Sequence, residues 1–266
     1  MLGNPNFTSG NGLYLTINRA SADYQSLQVR FQRSLAHGFQ GLLAYTWSHS
    51  LDNASTNFTI YELERGPSDF DIRNNFQAAL SYDIPGHYSN KWVSYALKHW
   101  SLDTRISARS ALPVDIFSKS TIDSASGQGQ HFHPDRVLSQ PLYTYNPIAP
   151  TGRQINPQAF QELDDANGNV IEGNAGRNSA RGFDAVQADV TLLRDFPFTE
   201  RVGLQFRAEA FNIFNHPSFG SIYNSLDNGP LFGQAYTSLA SQLGGLSSIY
   251  QLGGARSMQL ALKLYF

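Results

Sequence analysis

The sequence predicts an all-β fold: an antiparallel sheet of about seven or eight long meander strands, curved as part of a large transmembrane β-barrel, with long extracellular loops. Three observations predict it. Apolar and polar residues alternate with period 2 through most of the chain, as they must where successive side chains point to opposite faces of a strand. The alternating runs reach about 10–13 residues, which covers the roughly 9–11 that a tilted strand needs to cross a bilayer and exceeds the usual 5–6 of a soluble sheet. The connections alternate short and long, as in outer-membrane barrels with tight periplasmic turns and extended outer loops.

The runs follow in order. From Tyr24 to Leu35, Leu27, Val29, Phe31 and Leu35 share one face and Ser26, Gln28, Arg30, Gln32 and Ser34 the other. After a break at Ala36-His37-Gly38, Phe39, Leu43, Tyr45, Trp47 and Leu51 alternate with Gln40, Thr46, Ser48 and Ser50. From Ile72 to Ile84 the apolar set is Ile72, Phe76, Ala78, Leu80, Tyr82 and Ile84, against Arg73, Asn75, Gln77, Ser81 and Asp83. Trp100, Leu102, Thr104, Ile106 and Ala108 then alternate with Ser101, Asp103, Arg105, Ser107 and Arg109. Val186, Ala188, Val190 and Leu192 oppose Gln187, Asp189 and Thr191, with Leu193 an exception on the polar side. Val202, Leu204, Phe206, Ala208 and Ala210 oppose Arg201, Gln205, Arg207 and Glu209. Last, Met258, Leu260, Leu262, Leu264 and Phe266 oppose Ser257, Gln259, Ala261, Lys263 and Tyr265. A short apolar segment, Leu13 to Ile17, is an eighth strand or a loop edge.

Long loops fall at about 52–71, 111–182 and 212–254, between short breaks at Ala36 to Gly38 and Pro197 to Thr199 and a moderate one from Pro85 to His99. A β-sandwich or a lipocalin-like barrel would also alternate, with its apolar face turned into a packed core. Neither calls for strands this long, nor for an opposite face rich in Arg, Gln, Asp and Ser, which suits a wet lumen. Tyr45, Trp47, Tyr82, Trp100 and Phe266 are expected near strand ends, where interfacial girdles place amphipathic rings.

Composition narrows the function classes. Only 15% of the 266 residues are charged, against roughly 25% in soluble domains. The net charge of −2 offers no basic footprint for nucleic acid. With Cys 0 there is no disulfide framework, thiolate metal site or cysteine nucleophile. The opening Met1-Leu2-Gly3-Asn4-Pro5-Asn6 shows no basic segment leading into an apolar one, so no signal peptide is legible there. No Gly-x-Ser-x-Gly elbow and no His-Glu-x-x-His appear, and no enzymatic activity is expected.

The final run, Met258 to Phe266, resembles the C-terminal signature of outer-membrane proteins, in which a terminal Phe helps the barrel-assembly machinery read the last strand. Other stretches resemble the Oar-like branch of TonB-dependent receptors: Tyr24-Gln25-Ser26-Leu27-Gln28-Val29, Tyr45-Thr46-Trp47-Ser48-His49-Ser50-Leu51-Asp52, Gly173-Asn174-Ala175-Gly176-Arg177-Asn178, and Arg207-Ala208-Glu209-Ala210-Phe211-Asn212-Ile213-Phe214-Asn215-His216-Pro217. The resemblance implies residence in the outer membrane, contact with its lipid, and a barrel-wall role in TonB-driven transport of a ligand. Such receptors also carry a TonB box, a plug and a barrel of about twenty-two strands. The 266 residues are therefore expected to be the C-terminal part of one, inactive without the plug and N-terminal strands and with the TonB system as partner only in the full-length protein. Seven strands would leave two edges unpaired in hydrocarbon, at several kcal/mol per unsatisfied group. Eight could instead close a small structural or adhesive barrel. A soluble carbohydrate-binding β domain is the third alternative.

Candidate chemistry is sparse, and no cofactor is expected. Asp164-Asp165-Ala166-Asn167-Gly168-Asn169 suggests a calcium loop, but an EF-hand starting at Asp165 would need Gly and Glu where Val170 and Gly176 stand. An Asn-Gly surface turn is the simpler reading. His131-Phe132-His133 offers two imidazoles, with only Asp135 nearby in sequence to extend a ligand set, so no metal site is expected. The face-parity residues Arg73, Arg105, Arg109, Arg207 and Glu209 are expected to face the lumen, where they either meet a plug or ligand or simply pair with one another in water. Arg30 and Arg201 share that parity.

Overall fold

The structure is a computed structural model that describes residues 18–55, 64–86, 89–118, 120–122, 129–242 and 253–266. Seven long strands form one antiparallel meander: β1 Ala22–Ala36, β2 Phe39–Asp52, β3 Asn74–Asp83, β4 Trp100–Arg109, β5 Ala185–Pro197, β6 Gly203–Phe211 and β7 Ser257–Tyr265. All seven expected runs are strands. Their lengths run from 15 residues in β1 to 9 in β6 and β7. A strand of about ten residues extends some 33 Å, and at a tilt of about 40° it covers the roughly 25 Å apolar band of an outer-membrane barrel.

Register carries the alternation across the sheet. Phe31, Leu43, Ala78, Ile106 and Ala188 line up on one face of five consecutive strands. Leu192, Ala208 and Leu260 continue it across the last three, with Phe206 beside Leu262 in the next row. A register slip of one residue would send each of these to the other face. Many large side chains of this face are exposed, among them Leu27 at 60%, Trp47 at 42% and Leu262 at 69%. The buried apolar cluster lies elsewhere. Ile116, Ile155, Ala159, Phe160, Ala175, Ala180, Ile222 and Phe232 form it, and all come from the long connections. The greasy face of the strands therefore looks out of the protein, which a sandwich or lipocalin arrangement would not allow.

The sheet is open among the described residues, with β1 and β7 at its edges. The segment Leu13 to Ile17 lies outside the described residues. The β1–β2 hairpin turns on His37 and Gly38, both at positive φ (56° and 77°), the geometry of a two-residue turn that suits strand twist. A Cβ on Gly38 would meet the Asp83 carbonyl oxygen at 2.6 Å, so glycine is required there for space as well as for φ.

Several boundaries differ from expectation: Ile84 falls just outside β3, and Arg201 and Val202 just outside β6. Ile72 and Arg73 fall outside β3, because Asp71 and Ile72 close a tight turn through bonds to the carbonyls of Ser68 and Phe70. The strand expected over Val186 to Leu193 continues to Pro197. The Pro85–His99 connection contains an unexpected helix, α1 Lys91–Leu97, capped by the Asn90 side chain accepting from the Trp92 N–H. Its exposed Trp92 and Tyr95 lie at the same end as Trp100, where Arg194 sits over the Trp100 ring at 5.1 Å. Tyr82, Trp100 and Phe266 are at that strand end as expected. Tyr45 is central in its own strand but pairs with Phe76, the third residue of β3, because β2 projects beyond its neighbour.

Candidate functional site

The long connections fold into a body of their own over one end of the sheet. The connection after β4 contributes most of the buried apolar cluster and Ile222 and Phe232 come from the connection after β6. Short ladders hold it together, including Pro113–Val114 with Ala180–Arg181 and Asp135–Arg136 with Phe160–Gln161. We call this body the cap.

Two arginines fasten the cap to the rim. Arg177, with its side chain 1% exposed, pairs with the Asp52 carboxylate at the end of β2 at 2.6 Å. It also donates to the Asp52, Ser55 and Gly66 carbonyls and to the Ser55 hydroxyl. The next residue, Asn178, donates to the Pro67 carbonyl and to Asp69, each at 2.8 Å. Arg181 bonds both the carboxylate and the carbonyl of Asp71. Asp71 is fully buried and also accepts from the Ser50 N–H at 2.7 Å, from Arg73 Nε at 2.8 Å and faces His49 Nδ1 at 3.3 Å. Burial alone would raise the Asp71 pKa, but Arg181, the Ser50 N–H and His49 outweigh it and hold the carboxyl below its usual range.

Within the cap, His133 is buried between carboxylates. Its Nδ1 lies 2.5 Å from Glu172 Oε1 and 3.5 Å from Glu64 Oε2, and its Nε2 lies 3.0 Å from Asp115 Oδ1. Burial alone would push the imidazole pKa down, but Asp115 and Glu172 reverse this and raise it to about 10. This corrects the sequence reading, which saw only Asp135 near the two histidines. Asp135 instead accepts the Asn174 N–H, and the acids that meet His133 come from positions 64, 115 and 172. Asp165 follows the simpler expectation: its carboxylate accepts the Asn167 and Asn169 N–H groups and Gly168 takes a φ of 79°, closing an Asn-Gly turn.

Below the cap, the polar face of the sheet lines a groove of about 560 Å³ that includes Gln32, Gln40, Ser81, Asp103, Arg105 and Asp189. Residues of the polar face pair across strands: Gln77 donates to Ser107 at 2.7 Å, Ser81 to Asp103 at 2.5 Å and Gln205 to Asp195 at 3.0 Å. The cap reaches this face as well, the Gly253 N–H donating to the Gln187 side chain at 2.8 Å.

The arginines singled out from parity are spread along this face and its rim. Arg105 lies in the groove. Arg207 pairs with Glu209 two residues on, at 2.6 Å. Arg73 belongs to the Asp71 cluster, and Arg109 lines a second cavity of about 410 Å³ under the cap with Asp69, Asp115 and Asn178. Arg30 bonds Gln32 on the edge strand, whereas Arg201 sits exposed in the β5–β6 turn, just outside β6. Phe266 follows β7 and is 95% exposed.

Gly173 to Gly182 stands out in the sequence only because its first six residues resemble those of Oar-like TonB-dependent receptors. The run in fact supplies both fastening arginines. The signal available was an Arg and an Asn inside a glycine-rich stretch: a Cβ at Gly173 would lie 2.3 Å from the Pro134 carbonyl carbon, so the stretch is closely packed and its polar side chains must find partners.

No curated protein and no solved structure matches the chain. The family model described as an outer membrane beta barrel domain matches residues 3–259. With long strands, an outward apolar face, a paired polar face and that match over nearly the whole sequence, the chain belongs to the outer membrane beta barrel domain family and forms barrel wall in the outer membrane.

Proposed function

We propose that this wall belongs to a TonB-dependent receptor of the Oar-like branch, which imports a ligand from outside the cell. The observation that carries the reading is the cap: the connections after β4 and β6 form one packed body fixed by Arg177 and Arg181 to the end of β2 and the connection after it, above a polar groove. A body of that kind is built to present a binding surface on the extracellular side, and the groove beneath it is a wet path of the sort a transporter lumen provides. In this reading Arg105 and the pair Arg207 and Glu209 face the plug or the passing ligand, and further strands of the same receptor pair with the edges of β1 and β7, since an open edge in hydrocarbon is costly. The role is binding and passage, with no catalytic step and no cofactor, and Phe266 serves as part of the assembly signal.

In vivo crosslinking of the natural gene product in its own outer membrane tests the reading. A covalent adduct with TonB, lost when a TonB-box peptide is supplied in competition, is the expected result. An outer-membrane protein that gives no such adduct, while a known receptor in the same cells does, would overturn the receptor reading and leave the barrel assignment intact.

A further inference from the structure

We infer that Glu64, His133 and Glu172 form a binding site for a divalent cation of the zinc class, which clips the connection after β2 to the large connection after β4. Each residue offers one ligand atom, and the three atoms lie within 4.8 Å of one another. The residues come from distant points in the chain, so the arrangement belongs to the folded cap and to no local motif.

The donor set decides the kind of ion. One imidazole nitrogen and two carboxylate oxygens suit zinc, with water as a fourth ligand. Calcium takes six to eight oxygens and has little use for an imidazole. The fit needs a small adjustment: Glu172 Oε1 stands 2.5 Å from His133 Nδ1, closer than two ligands on one tetrahedral ion, which sit roughly 3.3 Å apart at metal–ligand distances of about 2.0 Å. Glu172 is partly solvent-exposed and has room to withdraw. Its exposure, with that of Glu64, also gives an ion a route in.

Asp115 supplies an independent sign. It is 6% exposed, and its Oδ1 takes both His133 Nε2 and the Asn178 N–H. Its Oδ2 is buried with no hydrogen-bond partner. A buried carboxylate oxygen without a partner is costly, so the cluster around His133 carries more negative charge than its hydrogen bonds offset. Among the described residues the ion pairs of Glu64, Asp115 and Glu172 all go to His133, so three carboxylates share one imidazole. A proton on that ring leaves the cluster with two net negative charges, and a divalent ion on Nδ1 compensates more of them. Asp115 on Nε2 then acts as the outer carboxylate that orients a metal-bound histidine.

The test uses the full chain in detergent micelles, stripped with a chelator and dialysed, then titrated with zinc and, separately, with cobalt and calcium. The expected result is one zinc per chain by elemental analysis and visible d–d bands on cobalt binding. Glu64→Gln and Glu172→Gln should each lower zinc affinity at least tenfold, and Asp115→Asn by about 10–100-fold. Asp165→Asn, in the neighbouring turn, should leave it unchanged. Glu172→Gln alters a partly exposed side chain, so it keeps the test meaningful if Asp115→Asn fails to fold. Zinc binding that is absent, unaffected by both glutamate changes, or matched by calcium at equal concentration would overturn the inference.

Discussion

Replacing Arg177 by alanine should release the cap from the rim without unfolding the sheet. The guanidinium is essentially inaccessible and serves one carboxylate, one hydroxyl and three carbonyls on the connection after β2 and the end of that strand. Removing one partner of a buried ion pair costs about 3–5 kcal/mol, because the other charge stays behind. Two facts point to the lower end. Asp52 keeps the Ala54 and Ser55 N–H groups and the Ser55 hydroxyl as donors, and Arg177 Nε has no acceptor in the intact protein. A loss of about 3 kcal/mol, at about 1.4 kcal/mol per decade, is a rise of over 100-fold in local opening. Hydrogen exchange read by mass spectrometry should show it at Asn178 and Ser68, whose N–H groups bond Asp115 and the Ser50 carbonyl. The β6–β7 pairing should keep its protection. An increase under tenfold, or equal loss of protection in β6 and β7, would refute the view of Arg177 as one of the two fasteners. The double change with Asp52→Asn should be milder than the sum of the single changes, since it no longer strands a charge.

Two more outcomes follow from the same geometry. Arginine at Leu262, on the outward face opposite Phe206, should destabilise the lipid-inserted protein by about 2–4 kcal/mol if it lies near the bilayer midplane, whereas arginine at Gln205 on the polar face should cost little; equal losses in urea unfolding from vesicles would contradict the facing. The contribution of Asp71 to cap stability depends on pH: its carboxyl is held below the usual range, so the stabilisation is full above the ordinary carboxylate pKa of about 3.9 and disappears as pH falls through the lower folded value, and an acid titration of cap protection should lose this step in Asp71→Asn.

Much of the fold was legible because a membrane strand writes its environment into every second residue. Leu27, Val29 and Phe31 could be assigned to one face from spacing alone, and Gln28 and Arg30 to the other, since pleating leaves no alternative once the strand is granted. Although Ala36 proves to end β1 and the turn is His37-Gly38 alone, the break at Ala36 to Gly38 was legible too. The helix at Lys91–Leu97 was not, because seven residues are too few to establish a helical period against strand-like neighbours. The candidate sites were hardly legible. His133 was noticed through its neighbour His131, but its partners at 64, 115 and 172 are separated from it by up to 69 positions, and no local pattern links them.

The amino-acid order by itself determined the strands, their two faces and the lipid as their solvent, because alternation is a local property read along a single extended chain. Tertiary structure alone decided that the long connections pack into a cap, that Arg177 and Arg181 fasten it to Asp52 and Asp71, and that four acidic and imidazole side chains converge inside it. The physical reason is that a buried charge finds its partner through folding in three dimensions, and the energy of that pairing depends on distance in space and on burial, neither of which is written in sequence separation.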